Sequence, residues 1–323
     1  MTNNVQTDIF SMFGLIDEKE EQRKLEEAER KKKIEEERKM KMEEIRQKAN
    51  EANAKKAEKT DQKKTESEKF DVNEETVIRY YGESFEITSY FTPEEIAEGL
   101  LVKKKNGETE RKPLEPEMLR KRMEKDFPEL VKDHTEMVFL KAKNIIVPTM
   151  KAKKKGNCME ASSTDDAFPF PKIPFSILKD FISVARLYGE IRLEVHADIY
   201  YHFKEGKFLL DFPKQTVHSY WAEVIEDSQN IAEKFVDAAK ILEIHSHHLM
   251  PSVPSEQDNQ SERIPGMYYA IVGRINEFFP QLYLRKFISE EKGHLKMPFE
   301  HLFEYPFLKL PKDFDTNAIE VSL

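Results

Sequence analysis

Cysteine is almost absent from this chain. Its 323 residues include one, Cys158, so an internal disulfide, a CxxC redox pair and a cysteine zinc knuckle are all excluded. That usage predicts a protein of the reducing cytoplasm. Long hydrophobic runs are lacking too: no stretch of about 18 apolar residues occurs, as a spanning helix requires. The N-terminus MTNNVQTDIFSMFGLIDEKEEQRK has neither the positive flank nor the sustained apolar stretch of a signal peptide, so a soluble, unexported protein is expected. Net positive charge is missing as well. With 52 Lys and Arg against 61 Asp and Glu the formal charge is -9, which argues against a general nucleic-acid binder because neutralising phosphates takes a basic surface. Gly266 and Gly273 belong to neither a GxxxxGK[ST] nor a GxGxxG loop, so no phosphate cradle is indicated.

What the chain has in excess is charge, 35% of its residues, and part of it must therefore be solvated. Residues 17–70 are nearly all Glu, Lys, Arg, Gln and Ala, with opposite charges three or four apart as on a helix surface. A long solvated helix is predicted there. Leu25, Ile34, Met40, Met42 and Ile45 are too sparse for a sustained heptad seam, so any coiled coil is weak. Before it, in the short tail at 1–16, the apolar segment DIFSMFGLI reads either as a docking motif or as a poorly ordered end.

Residues 75–156 read as a small α+β module: a strand or hairpin in TVIRYYGESFEI, helices in TPEEIAEGLL and PEMLRKRMEKDF, and strands around TEMVFLKA and NIIVPTM. Thr92, Pro93 and Glu95 form the N-cap, first position and third position of a capping box. A basic then small and acidic stretch leads through a linker at 157–167 into a region at 168–310, with a tail at 311–323. That region opens with an amphipathic helix in FPFPKIPFSILKDFISVARLYG. Strands follow in EIRLEVHADIYYHF, KFLLDFPKQTV, ILEIHSHH, YYAIVGRI and QLYLRKFI, with a helix expected over WAEVIEDSQNIAEKFVDAAK. The alternation predicts an α/β fold around a mixed sheet.

Within EIHSHHLMPSVPSEQD lies the spacing H-x-H-x7-S-x2-D, formed by His245, His247, Ser255 and Asp258. Alternate residues of a strand face the same side, so His245 and His247 can offer two imidazoles to one ion. A loop containing Pro251 and Pro254 turns the chain back to bring Asp258 as a third ligand. Three protein ligands leave a position open, and water bound there is acidified for attack on a carbonyl if a carboxylate stands by to take its proton. Two histidines at i and i+2 would alone be ordinary surface or core residues. The Ser and Asp at these offsets, after the apolar strand AKILEI, are what make a metal site the better reading.

The string resembles the signature of the JAMM (MPN-plus) metallopeptidases, most closely their prokaryotic JAB-like branch, over roughly the region 168–310. The resemblance implies an MPN/JAB-like, cytidine-deaminase-like domain holding one Zn2+ per chain through His245, His247 and Asp258. It implies that Glu194 is the general base and that Ser255 stabilises the oxyanion. Glu190 is the rival base; the DFPKQ segment after the strand favours Glu194, whereas the two-residue alternation of a strand does not decide between them. Family members cut the amide bond after the C-terminal glycine of ubiquitin-like or sulfur-carrier proteins, so a bacterial substrate of that class, with an E1-like activating enzyme of the same system, is the expected company. Residues 75–156 loosely resemble a small domain that accompanies such proteins in plasmid-borne gene sets.

The remaining candidates have ordinary readings. His248 should point away from His247 and is left a supporting place at most; His196 and His202 fit no ligand pattern. Tyr220, Trp221, Phe278 and Phe279 are expected to be packing residues, and the basic runs at 30–33, 103–105 and 153–155 solvated surface. A second function class is an MPN-fold scaffold that docks partners through the N-terminal helix without catalysis; the complete Glu, His, His, Ser and Asp set counts against it. Cleavage after Gly156, releasing the module, is a third possibility, although Lys-Lys-Gly is not a Gly-Gly tail.

Overall fold

The computed structural model describes residues 18–55, 70–103, 109–150 and 168–307. The 1–16 tail, the 157–167 linker with Cys158, Gly156, the basic residues at 104–105 and 153–155, and the 311–323 tail lie outside the described residues. The chain divides into two compact units, residues 1–64 and 65–323.

In the first unit, helix α1 (Glu18–Lys55) runs for 38 residues, about 57 Å at the usual rise. Leu25, Ile34 and Met40 are exposed, so the described part of the helix buries no apolar stripe. Glu27–Lys31 at 2.6 Å, Glu35–Lys39 at 2.9 Å and Glu44–Lys48 at 2.7 Å each place the acid one turn before the base. That is the favourable orientation, contributing about 0.2–0.5 kcal/mol per pair.

The second unit opens with strands β1 (Val77–Tyr80) and β2 (Glu83–Glu86). Helix α2 (Pro93–Glu98) begins at the Thr92–Glu95 capping box and stops short of the expected end, because Gly99 turns the chain with φ of 86°. Residues after it form a hairpin, β3 (Leu100–Lys103) and β4 (Thr109–Lys112). Helix α3 (Pro116–Met123) and strands β5 (Thr135–Leu140) and β6 (Ile145–Met150) complete this part. The sheet has order β2-β1-β6-β5, with β1 parallel to β6, over a core that includes Ile78, Phe91, Leu119, Met123 and Ile146.

The rest of the unit is a six-stranded mixed sheet. Helix α4 (Phe175–Gly189) precedes β7 (His196–His202), β8 (Lys207–Asp211), the short hairpin β9 (Gln215–Val217) and β10 (Ala222–Val224), and helix α5 (Ser228–Lys234). Then follow β11 (Ala238–His247), helix α6 (Glu256–Ser261), β12 (Tyr268–Gly273), β13 (Gln281–Ser289) and β14 (Gly293–Met297). The strand order is β14-β13-β12-β11-β7-β8, with β11 parallel to β12 and antiparallel to β7. Leu178, Phe181 and Ala185, on one stripe of α4, pack onto Ala197, Ile199, Leu242, Ile244, Ala270 and Val272 from one sheet face. The protein is therefore mixed α/β with mixed sheets.

Two further expectations change. The helix foreseen over 221–240 is confined to Ser228–Lys234, capped by Asp227. On one side of it Ala222–Val224 pair with β9, and on the other Ala238, Ala239 and Lys240 pair with β7. Tyr220, Phe278 and Phe279 are exposed rather than packed, since they occupy the connections β9–β10 and β12–β13. Trp221 is half-buried and stacks on His218, with ring centroids 5.4 Å apart. Among the described residues no helix is long and apolar enough to cross a membrane.

Both parts of the second unit meet at α5. Ala232 joins Val138, Leu140 and Val147 in a shared apolar cluster, and Met150 packs against Ile264, Met267, Tyr269 and Phe287. Arg79 pairs with Asp237, and Ser228 Oγ donates to Glu136 Oε2 at 2.7 Å.

Candidate metal centre

The centre forms at the carboxyl end of β11, an interior strand. A bulge between Lys240 and Leu242 resets the alternation, so that Leu242 and Ile244 enter the core under α4 while Glu243, His245 and His247 take the opposite face. His245 Nε2 and His247 Nε2 lie 3.1 Å apart. After a loop at 248–254, α6 returns Asp258, whose Oδ1 is 3.4 Å from His245 Nε2 and Oδ2 3.3 Å from His247 Nε2. Among the described residues this is the one group of three His, Cys, Asp or Glu whose ligand atoms all lie within 4.8 Å of one another. It could hold a metal ion.

The S-x2-D spacing has a local cause. Ser255 is the N-cap of α6 and Asp258 its third residue, and the two form a capping box: Ser255 Oγ accepts the Asp258 N–H at 3.1 Å, and Asp258 Oδ2 accepts the Ser255 N–H at 2.6 Å. The box that starts the helix also fixes the direction of the carboxylate. Ser255 itself is exposed.

Each imidazole is oriented through its other nitrogen. His247 Nδ1 meets the Pro251 carbonyl at 3.0 Å, and His245 Nδ1 meets Glu262 Oε1 at 3.3 Å. Glu262 is in turn held by Arg285 Nε at 2.7 Å, and Arg285 reaches Asn259 as well. Carbonyl and carboxylate partners take an Nδ1–H and so leave Nε2 as the ligating atom of each ring. Sequence reasoning missed Glu262, although an acid four residues after Asp258 was a usable signal; in the structure its N–H donates to the Asp258 carbonyl at 2.9 Å. Arg285 has no local signal, since β12–β13 pairing alone brings it under Glu262.

Glu194 lies two residues before β7 rather than within a strand, yet the β7–β11 register, His196 opposite His245, carried two residues further sets it opposite His247. Ser246, the variable residue of H-x-H, makes the link. Its Oγ accepts the Val195 N–H at 3.0 Å and its N–H donates to the Val195 carbonyl at 3.0 Å. Glu194 is 3% exposed, and its Oε1 is buried with no hydrogen-bond partner. Burial raises its pKa to about 7, against the pull of His245 and His247 and with a further push from Asp258. His245 is half-buried; desolvation disfavours its charged form, but Asp258 and Glu262 outweigh it and lift its pKa to about 9. Asp258 is held well below the carboxylate range: burial opposes its charge, but His245, His247 and the Ser255 bonds prevail.

Other candidates fall elsewhere. Glu190 is the exposed C-cap of α4. His196 Nε2 meets the buried carboxylate of Asp198 at 3.0 Å, beside Lys240 at 3.4 Å, and His202 Nδ1 accepts the Glu205 N–H at 3.2 Å. These histidines serve local structure. Gly273, at the end of β12, lets the 248–254 loop cross: a β-carbon there would stand 2.2 Å from Ser252 N and 2.4 Å from the Pro251 carbonyl carbon.

In comparisons with known proteins, no family model matches the chain and no curated protein matches it.

Proposed function

We propose that this protein is a zinc-dependent amide hydrolase with an MPN/JAB-like domain, a member in chemistry of the JAMM type. The observation that carries the reading is the convergence of His245, His247 and Asp258 beside Glu194, a buried carboxyl whose Oε1 has no partner. Two Nε2 atoms 3.1 Å apart both face the Asp258 carboxylate. The proton that His245 carries among them occupies the place a metal ion would take. Two nitrogens and one oxygen with a position left open suit a catalytic zinc.

When bound, zinc acidifies water and polarises a carbonyl. Glu194 does the proton work. Burial lifts this carboxyl above the ordinary range in the metal-free protein, so it holds a proton more readily than a surface carboxylate and can take one from water and pass it to the leaving amine nitrogen. Ser255 Oγ already accepts from Asp258 N–H, so its hydroxyl hydrogen remains to donate to the carbonyl oxygen as negative charge develops there. The substrate class, the bond after the C-terminal glycine of a bacterial ubiquitin-like or sulfur-carrier protein prepared by an E1-like enzyme, follows from the resemblance of the H-x-H-x7-S-x2-D string.

Elemental analysis tests the metal. One zinc per wild-type chain and none in a His245→Ala, His247→Ala double variant is expected. Cleavage of a ubiquitin-like fusion should fall by about 100- to 10,000-fold in Glu194→Gln with its zinc retained, the range for loss of a general base. A wild type that takes up no zinc on reconstitution overturns the reading and leaves the scaffold function to pursue.

A further inference from the structure

We infer that His248 is a positioning residue: it clamps the tip of the β9–β10 hairpin against the turn that follows the metal ligands, and through that tip sets where Glu194 stands. The catalytic half of this inference rests on the hydrolase reading; the structural half does not.

His248 follows His247 with φ of 22°, a left-handed conformation that a residue with a β-carbon adopts at a cost. Its surroundings hold it there. The ring is buried; its Nδ1 accepts the Leu249 N–H at 2.6 Å, so Nε2 carries the hydrogen and donates to the Ser219 carbonyl at 2.8 Å. The His248 carbonyl accepts the Ile275 N–H at 2.7 Å, tying the same residue to the chain after β12.

Ser219 belongs to the hairpin tip at 218–221. The tip is closed by the His218 N–H on the Trp221 carbonyl at 2.8 Å and by the stacking of the two rings, 13° from parallel. The preceding carbonyl, that of His218, accepts the Glu194 N–H at 2.9 Å. Adjacent carbonyls of one tip thus engage His248 on one side and Glu194 on the other. Ser246 holds Val195 from the β11 side, so the segment carrying Glu194 is gripped at consecutive peptides. Removing the His248 ring releases one grip and leaves the other. The expected result is a base displaced by a fraction of its reach, with the ligands undisturbed. Displacements near 1 Å cost rates of about 100-fold.

The chain has a single tryptophan, and it lies in this tip, so Trp221 fluorescence reads the clamp directly and without any substrate. In metal-free His248→Ala, Trp221 emission should shift to the red and acrylamide quenching should rise. His248→Gln, whose amide can still donate to Ser219, should restore much of both. Zinc content should stay at the wild-type level in each variant. In the hydrolysis assay kcat should fall about 10- to 100-fold in His248→Ala with KM changed little, and recover in His248→Gln. Unchanged Trp221 emission and quenching overturn the clamp. A loosened tip with kcat intact, or a KM rise in place of a kcat loss, overturns the positioning role. Should His248→Ala not fold, His248→Asn carries the same comparison. A wild type that binds zinc but cleaves nothing sinks the hydrolase reading while the fluorescence arm still decides the clamp.

Discussion

At the scale of single residues, the centre is a set of opposed pKa shifts within one cluster of side chains. Glu194 titrates near 7 because burial penalises its charge, and its folded value stands above the ordinary 4.5. A raised carboxyl favours folding when protonated, so its contribution is fully present below pH about 4.5 and is lost as pH rises through 7. Glu194→Gln removes that dependence. In metal-free protein, urea unfolding should find the variant gaining on the wild type by on the order of 2–3 kcal/mol between pH 5 and pH 8, from about 1.4 kcal/mol per pKa unit. An equal difference at both pH values would show that burial does not govern this carboxyl. His245, raised to about 9, carries its proton through the same range and loses it to a metal ion, so metal binding should release protons below pH 9.

Elements place these residues. A bulged interior strand aims His245 and His247, a capping box aims Asp258, and a loop passing over a glycine aims the acceptor for His247. The loop is the most vulnerable of the three. Gly273→Ala puts a β-carbon 2.2 Å from Ser252 N, a backbone atom that cannot swing aside as a side-chain end can. The loop must lift, taking with it the Pro251 carbonyl that orients His247. Competition with a chelator should report zinc affinity lowered by about 10- to 100-fold, and denaturation a loss of roughly 1–3 kcal/mol. Retained affinity would mean that the Pro251 contact does not orient the ring.

For the molecule as a whole, the 75–150 part is joined to the sheet that carries the centre rather than held apart by a linker alone. Asp237, at the turn between α5 and β11, binds Arg79 from one side and Lys204 Nζ at 2.7 Å from the other, and the Arg79 side chain is 14% exposed. Asp237→Ala leaves that guanidinium with little solvent and no acid partner at this position. A loss of about 1–3 kcal/mol is expected, with hydrogen exchange rising in 145–150 and 228–234 and zinc content unchanged. Exchange confined to the mutated turn would show that the apolar cluster of Val138, Leu140, Val147 and Ala232 holds the contact alone.

Features under local control were legible in the order of residues alone. Strand alternation put His245 and His247 on one face, the S-x2-D spacing set Asp258 three residues after Ser255, and Thr92 with Glu95 started α2, all within reach of one turn or one strand. The same local reading ran a helix through 221–240, where helix-favouring residues such as Ala238, Ala239 and Lys240 were taken up by pairing with β7. Long-range packing was needed to bring Glu194 opposite His247, Arg285 under Glu262, the 218–221 tip to His248, and Met150 beside Tyr269. Those contacts join residues tens of positions apart. They depend on which strands lie side by side, an order set by burying whole faces of sheet and helix together, which no local spacing encodes.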